Sequence, residues 1–303
     1  MHANLPKKIK PADSRKIDLY LLSMIVYDFQ PFSIVEDEGF RRYTHALNPN
    51  YEIPNRKTLS GNLLPTMYQN RLEQLQSYVY ANAKSVSITI DCWTSRTMDS
   101  YMGITAHFIV DNSLKSVLIQ CDDFEGHHTG VRLYREMKCI LNRWNIYDKV
   151  NFLVTDNASN MESAARYFKE DEPSTFLADI ASQSNRLVDA SGAIPTSILW
   201  KKFDSEANVT LTPKPNNEKA EDELKKYLSE PLIKRLDYPF KWWQQHQFIY
   251  ATLFKLFVKH SNIMVTSVPC ERIFSKSGYV ISDRRTRLSS TKVAQIIFLN
   301  EHH

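Results

Sequence analysis

The first eighty-three residues carry apolar side chains at helical spacing. Three helical stretches are predicted, and they are separated by Pro31 and by the Pro49–Pro54 segment. The third of them, over 58–83, contains Pro65, which predicts a break because proline cannot donate the backbone hydrogen bond that a helix interior needs. Residues 1–83 are therefore interpreted as an N-terminal helical segment.

From residue 84 the apolar spacing changes to strict alternation. Val86, Ile88 and Ile90 alternate with polar residues, and this pattern predicts a strand that ends at Asp91. The elements that follow are predicted as strands over 101–110 and 115–124, a helix capped by Thr129, a strand over 149–155 that leads into Asp156, and a helix over 158–168. An antiparallel meander followed by a helix and one further, parallel strand indicates an α/β fold with a ribonuclease-H-like core over 84–169.

Patterning is weak between 170 and 217. Four prolines punctuate this polar stretch, which is long for a loop inside a compact domain. We interpret it as a linker, or as the remnant of a larger inserted domain. Helical patterns return over 218–303, at 218–227, 239–260, 267–277 and 290–300.

Composition narrows the class of protein. The chain has 303 residues, 43% hydrophobic and 24% charged, with a net charge of +4. Those proportions are typical of a globular protein. Neither a membrane span nor a secretion signal is expected. The four cysteines are irregularly spaced, which favours a reducing compartment and predicts no structural zinc.

Two short basic clusters are candidates for recognition. Lys7, Lys8 and Lys10 form a run that could act as a nuclear import signal. Arg284, Arg285 and Arg287 are candidate contacts to DNA phosphates. Both clusters could equally be solvated surface.

Two aspartates are the candidates for catalytic chemistry. In the predicted sheet the first and fourth strands are neighbours, so Asp91 and Asp156 would lie side by side. Adjacent carboxylates repel unless a cation lies between them, and Mg²⁺ or Mn²⁺ prefers such oxygen ligands. Glu271, at the start of a later helix, is the candidate third ligand. The alternative is that the aspartates are polar strand ends and that Glu271 only complements a helix dipole.

The last third of the chain is rich in aromatic and apolar residues. The predicted 239–260 helix is apolar nearly all round and must be covered on several sides. The residues expected to form a contact between two copies are Trp242, Trp243, Phe254, Phe257, Ile296, Ile297 and Phe298. Burial within a single chain is the alternative.

Four motifs carry a resemblance to a known family. The segment IDCWTS (90–95) resembles the first strand of hAT transposases and of their domesticated relatives, the BED zinc-finger proteins. TDNASNM (155–161), SVPCERIFS (267–275) and the end of the chain from Leu288 to Asn300 are similar to later motifs of the same family. The resemblance implies that Asp91, Asp156 and Glu271 occupy the metal-binding acidic positions of a transposase. It also implies that the C-terminal region, 218–303, dimerises.

The chain also departs from that family. It has no zinc-finger spacing of cysteines and histidines, so the DNA-reading BED finger is expected to be absent. Between the helix after Asp156 and the helix of Glu271 the family carries a long helical insertion, but here only about 100 poorly patterned residues without cysteine fill this interval. A fifth strand and a DNA clamp are therefore also expected to be missing. Cys270 stands where serine is usual.

These observations favour a nuclear, transposase-derived protein that forms a homodimer, with DNA as a second candidate partner. We expect neither transposition activity nor a small-molecule substrate. The alternative is an active, metal-dependent transposase or nuclease. A decayed element copy or an incomplete gene model is the third reading.

Overall fold

The structure is a computed structural model. It describes residues 9–94, 100–111, 113–124, 129–155, 158–171, 176–179, 217–234, 237–263, 272–273, 275 and 288–302. None of the helices in these ranges is long and apolar enough to cross a membrane.

The N-terminal segment is helical, as predicted. Its helices are α1 (Pro11–Tyr27), α2 (Glu38–Leu47), α3 (Arg56–Thr58) and α4 (Leu64–Asn82), with a 3-10 turn at Phe32–Glu36 and a π turn at Leu59–Leu63. The predicted break at Pro65 is a change of helix type and not an interruption, because the π turn leads directly into α4 and Leu63 and Leu64 keep helical backbone angles. Proline is tolerated in the first turn of a helix.

The central element is a five-stranded mixed sheet. Its strands are β1 (Val86–Thr94), β2 (Ser100–Val110), β3 (Ser113–Asp123), β4 (Val150–Thr155) and β5 (Phe176–Asp179), in the order β3-β2-β1-β4-β5. β1, β2 and β3 pair antiparallel, whereas β4 runs parallel to both β1 and β5. The predicted neighbourhood of the first and fourth strands is therefore confirmed.

Two details of the predicted sheet were wrong. Asp91 does not end the first strand, because the pairing of β1 with β2 continues to Thr94, opposite Ser100. A fifth strand is also present, although residues 170–217 were interpreted as a linker and that strand was expected to be missing. β5 has only four residues, too few for alternation to distinguish a strand from an irregular segment.

The two faces of the sheet build two core clusters. Successive strand residues point to opposite faces, so Ile88 and Ile90 face one side while Trp93 faces the other. The first cluster joins Ile88 and Ile90 to residues of α4, α5 (Gly130–Arg143) and α6 (Ser159–Asp171). The second joins Trp93 and Tyr101 to α1 and to the last helix.

A close approach of α5 and α6 fixes the start of α6. A Cβ added at Gly130 would lie 2.5 Å from the Cβ of Ser163 and 3.0 Å from the backbone nitrogen of Ala164, so this position accepts only glycine without a shift of α6. At the other end of α6, Asp171 accepts hydrogen bonds from Tyr134 and Tyr147 and pairs with Lys138. The Lys138 ammonium and the two hydroxyls lower the pKa of Asp171 from its ordinary value. α6 is therefore held against α5 near its start and against α5 and Tyr147 at its end.

The C-terminal region contains four described helices, α7 (Asn217–Ser229), α8 (Pro239–His246), α9 (Ala251–His260) and α10 (Ser290–Glu301). The predicted single helix over 239–260 is two helices, separated by a turn that leads to Tyr250. Tyr250 is fully buried, and its hydroxyl donates to Glu230, 2.6 Å away. The tyrosine adopts φ −116° and ψ 55°, outside the helical region, and this conformation divides the two helices.

Candidate functional site

Asp91 is a half-buried residue within β1, opposite Gly103 of β2. A Cβ at Gly103 would lie 2.8 Å from ring carbon Cζ3 of Trp93, so the indole occupies the space over this glycine. The indole also stacks on Tyr101, with ring centroids 5.9 Å apart. The Trp93 ring thus covers the sheet beside Asp91. Because Asp91 and Trp93 lie on the same face of β1, the carboxylate has an apolar neighbour.

The register of β1 with β4 governs the predicted pairing of the two aspartates. The last recorded pair is Thr89 with Val154, and Asp91 follows Thr89 by two residues, as Asp156 follows Val154 in the sequence. Asp156 itself lies outside the described residues, as do Glu271, Cys270, Arg284, Arg285, Arg287, Lys7 and Lys8. Within the described ranges, no group of three or more His, Cys, Asp or Glu side chains is placed to hold a metal ion. The three-carboxylate site therefore stays a prediction.

A buried polar row lies on the same face of the sheet as Asp91. The hydroxyl oxygen of Thr89 lies 3.0 Å from Nε2 of His107, and Nδ1 of His107 lies 2.8 Å from the hydroxyl of Ser116, so the row crosses three strands. His107 is fully buried, and this burial lowers its pKa from 6.5 to about 4. The imidazole is therefore neutral at physiological pH, with one ring nitrogen donating and the other accepting.

The end of α9 covers this polar row. The side-chain amide of Asn262 donates to the hydroxyl of Ser85 over 3.2 Å and to the backbone carbonyl of His107 over 3.4 Å. The His260 ring packs on Phe152 of β4, with ring centroids 5.2 Å apart. Through these contacts the C-terminal region docks on the sheet. Sequence reasoning missed His107 and Asn262, because polar residues that alternate along a strand are ordinarily expected to face solvent.

The four aromatic residues predicted for dimerisation pack mainly against one another. Trp243 stacks on Phe257 with centroids 5.0 Å apart, and Phe254 lies 6.2 Å from the same Phe257 ring. Trp242 stacks on His246 at 4.1 Å. All four predicted side chains are half-buried, so part of each remains open to solvent. They form an internal aromatic cluster of α7, α8 and α9 with an accessible edge.

Strongly exposed apolar side chains lie on the same helices and the turns beside them. Leu228 is 72% exposed, Leu232 99% and Phe248 89%. Together with Ile249 and Leu256 they form what we call the C-terminal apolar surface. Phe248, Ile249 and Leu256 belong to the predicted 239–260 helix, whose apolar sides were expected to be covered, whereas Leu228 and Leu232 were not predicted. Periodicity shows which positions are apolar but not which of them a neighbouring helix covers.

The three α10 residues that were predicted for dimerisation are buried by this chain itself. Ile296, Ile297 and Phe298 are 1%, 0% and 3% exposed, within the two core clusters. Asn300 anchors the helix by donating to the carbonyls of Val26 and Tyr27. In the structure these three side chains are covered by their own chain, and their part in dimerisation stays a prediction.

Comparison with known proteins gives two matches to family models. Residues 89–175 match the ZBED1 RNase-like domain, and residues 223–302 match the hAT family C-terminal dimerisation region. The first match covers β1 from Thr89 onward, β2, β3 and β4 and the helices α5 and α6, and it confirms the predicted ribonuclease-H-like fold class. The second covers most of α7 and all of α8, α9 and α10.

Individual relatives agree with these matches. A putative AC transposase of Zea mays is 34% identical over 151 residues, which are 50% of this chain and 18% of that protein. Zinc finger BED domain-containing protein 4 of Homo sapiens is 27% identical over 158 residues, 48% of this chain and 14% of that protein. A putative transcriptional regulator, tpeD, of Talaromyces stipitatus is 32% identical over 144 residues, 46% of this chain and 17% of that protein.

The chain spans less than a fifth of the length of these relatives. The two family models together cover more than half of it, in the same order along the chain as the motifs quoted above. With its ribonuclease-like sheet and its dimerisation region, the chain belongs to the transposase-derived family of hAT transposases and BED zinc-finger proteins.

Proposed function

We propose that this protein is a transposase-derived nuclear factor that acts as a homodimer and contacts DNA, and that it does not itself move DNA. The observation that carries the proposal is the C-terminal apolar surface, which lies within the matched dimerisation region. Leucine and phenylalanine side chains that are 72% to 99% exposed are unfavourable in water unless a partner covers them.

The energetics favour association through this surface. Burying a leucine or phenylalanine side chain contributes about 1.5–3 kcal/mol, and five such side chains on each copy offer enough to offset the entropy lost on association. In a homodimer with a twofold axis, each contact that covers these side chains is formed twice. The accessible edge of the aromatic cluster, at Trp242 and Trp243, would extend the contact.

Replacing Leu228 and Phe248 with acidic residues should prevent dimerisation. We expect the wild-type protein to be a dimer at micromolar concentration and the Leu228→Glu, Phe248→Asp double variant to be a monomer, because two buried carboxylates per copy would lose their hydration. Multi-angle light scattering gives the mass directly. Leu47→Glu, which is 68% exposed but lies on α2, is the matched control and should remain a dimer. A wild-type monomer would contradict the proposal.

DNA contact is proposed for the Arg284, Arg285 and Arg287 cluster, with Lys7, Lys8 and Lys10 directing import into the nucleus. The support is the basic character of both runs and the presence of transposases and a putative transcriptional regulator among the relatives. Such binding would weaken with rising salt, since arginines that neutralise phosphates release counterions.

The second candidate function is a metal-dependent nuclease or transposase. It is favoured by the parallel pairing of β1 with β4, which brings together the two strands that carry or precede Asp91 and Asp156. A half-buried carboxylate such as Asp91 suits Mg²⁺ or Mn²⁺, with Asp156 and Glu271 as the proposed further ligands. The ion would stabilise the charge that develops during phosphodiester cleavage.

Purified protein should not nick supercoiled DNA in Mg²⁺ or Mn²⁺, because we propose that the acidic positions no longer act together. Gel analysis of plasmid relaxation measures this directly. Metal-dependent nicking that disappears in both Asp91→Asn and Asp156→Asn would establish the enzyme and overturn the non-catalytic proposal. Nicking that persists in both variants would be assigned to a contaminating nuclease.

A further inference from the structure

A groove lies on the side of the molecule formed by α1, α4 and the end of α10. Its volume is about 370 Å³, and its apolar lining includes Leu19, Leu63, Met67 and Leu299. This volume is within the range of sites that hold a ligand or the side chains of a docked helix. Leu19 is 47% exposed at the rim, so the apolar lining continues onto the surface.

Arg71 of α4 lines the same groove and has an unsatisfied donor. Its Nε is buried and has no hydrogen-bond partner among the described residues, and it forms no ion pair with any of them. A buried guanidinium N–H without an acceptor is costly, and a carboxylate is its best-matched partner. The groove therefore suits an occupant that combines apolar side chains with one carboxylate.

The chain itself presents such a segment on α7. One face of this helix is already used, because Glu223 accepts hydrogen bonds from the backbone amides of Thr252 and Leu253, and Tyr227 packs on Trp243. The opposite face carries Glu221, Leu224 and Leu228, which follow each other at intervals of three and four residues and are all exposed.

The spacing on the two helices matches. On α7 the distance from Glu221 to Leu228 is about 10 Å, at 1.5 Å per residue. Arg71 and Met67 of α4 and Leu63, the last residue of the π turn before it, are separated by four residues each, so the row extends over about 12 Å. An antiparallel helix would place Glu221 at Arg71, with the two leucines near Met67 and Leu63.

We propose that the groove receives α7 of a second copy of this chain, with Glu221 of one copy paired to Arg71 of the other. The inference rests on the proposed homodimer and specifies where Leu224 and Leu228 of one copy would be covered by the other. Leu224, Leu228 and Leu299 lie in the matched dimerisation region, whereas Glu221 and Arg71 lie outside it, so the proposed contact extends from that region to α4. A twofold dimer would form the contact twice.

Charge exchange tests the pairing. Arg71→Glu and Glu221→Arg should each raise the dimer dissociation constant by at least about tenfold, since each variant places two like charges in a partly buried contact. The combined variant should return it to within about threefold of wild type, because the pair is restored with opposite polarity. Sedimentation velocity gives the constants, and Arg42→Glu on the exposed face of α2 is the control that should leave them unchanged.

A disulfide provides an independent measurement if Arg71→Glu does not fold. In a Cys139→Ser background, which removes an exposed cysteine, Met67→Cys and Leu224→Cys proteins should form a mixed disulfide-linked dimer when they are combined and oxidised. If the wild-type protein is a dimer but Arg71→Glu dimerises equally well, the groove contact is wrong and the homodimer stands. The same conclusion follows if no mixed disulfide forms. A wild-type monomer overturns both.

Discussion

Replacing Phe298 with alanine should lower the free energy of unfolding by about 3–5 kcal/mol, the usual cost of deleting a buried phenylalanine ring. Phe298 is 3% exposed, and its ring lies 5.0 Å from that of Tyr68 and 4.7 Å from that of His302. It belongs to one core cluster while its neighbours Ile297 and Leu299 belong to the other. The cavity would therefore open where the two clusters meet.

The loss of stability in Phe298→Ala should not depend on protein concentration. Because the chain buries Phe298 by itself, the destabilisation should be the same at low and high concentration in urea unfolding experiments. Tyr43→Ala is the control, since Tyr43 on α2 is 64% exposed and its removal should leave unfolding almost unchanged. A loss for Phe298→Ala that grows on dilution would mean that α10 is exchanged between copies.

Hydrophobic patterning identified α10 and the aromatic helices but could not assign their partners. A helix that is apolar nearly all round must be covered, and nothing in the period of its residues distinguishes cover by its own chain from cover by a second copy. For Ile296, Ile297 and Phe298 the cover comes from the chain's own core. The most exposed apolar residues, Leu232 and Phe248, lie between helices, although the predicted 239–260 helix had included Phe248.

The sheet was predictable where strands are long and alternate regularly. Val86, Ile88 and Ile90 defined β1 from sequence, and the order of elements predicted its parallel neighbour β4. The end of β1 was misplaced because an aspartate favours turns, whereas Asp91 lies opposite Gly103, inside a pairing that continues for three more residues. At this position the hydrogen-bonded pairing with β2 outweighs the preference of aspartate for turns.

The polar row was unpredictable for a related reason. Alternation over 86–90 indicates one apolar face and one polar face, and the polar face of an antiparallel sheet is ordinarily in water. In this fold that face is covered, because α9 docks Asn262 over His107. A contact between residues so far apart in sequence leaves no local pattern, so the histidine could only be found in the three-dimensional structure.

The buried histidine gives a pH dependence with a defined sign. Burial lowers the pKa of His107 to about 4 in the folded protein, while an unfolded chain has the ordinary value of 6.5. The unfolded state therefore takes up the proton first. The stability contributed by the neutral imidazole is fully present above pH 6.5 and is lost as the pH falls towards 4, by about 3 kcal/mol over that window.

Urea unfolding at a series of pH values measures this loss. His107→Gln should remove most of the slope between pH 6.5 and 4, since glutamine can still hydrogen-bond to Thr89 or Ser116 but cannot take up a proton. His45→Gln, at an exposed position on α2, should keep the wild-type slope. If His107→Gln and wild type instead lose stability in parallel, other groups carry the pH dependence and the covered row is not what destabilises the fold in acid. A slope confined to wild type and the His45 variant would mean that acid weakens the fold at the sheet face where α9 docks, since an imidazolium buried there loses its hydration.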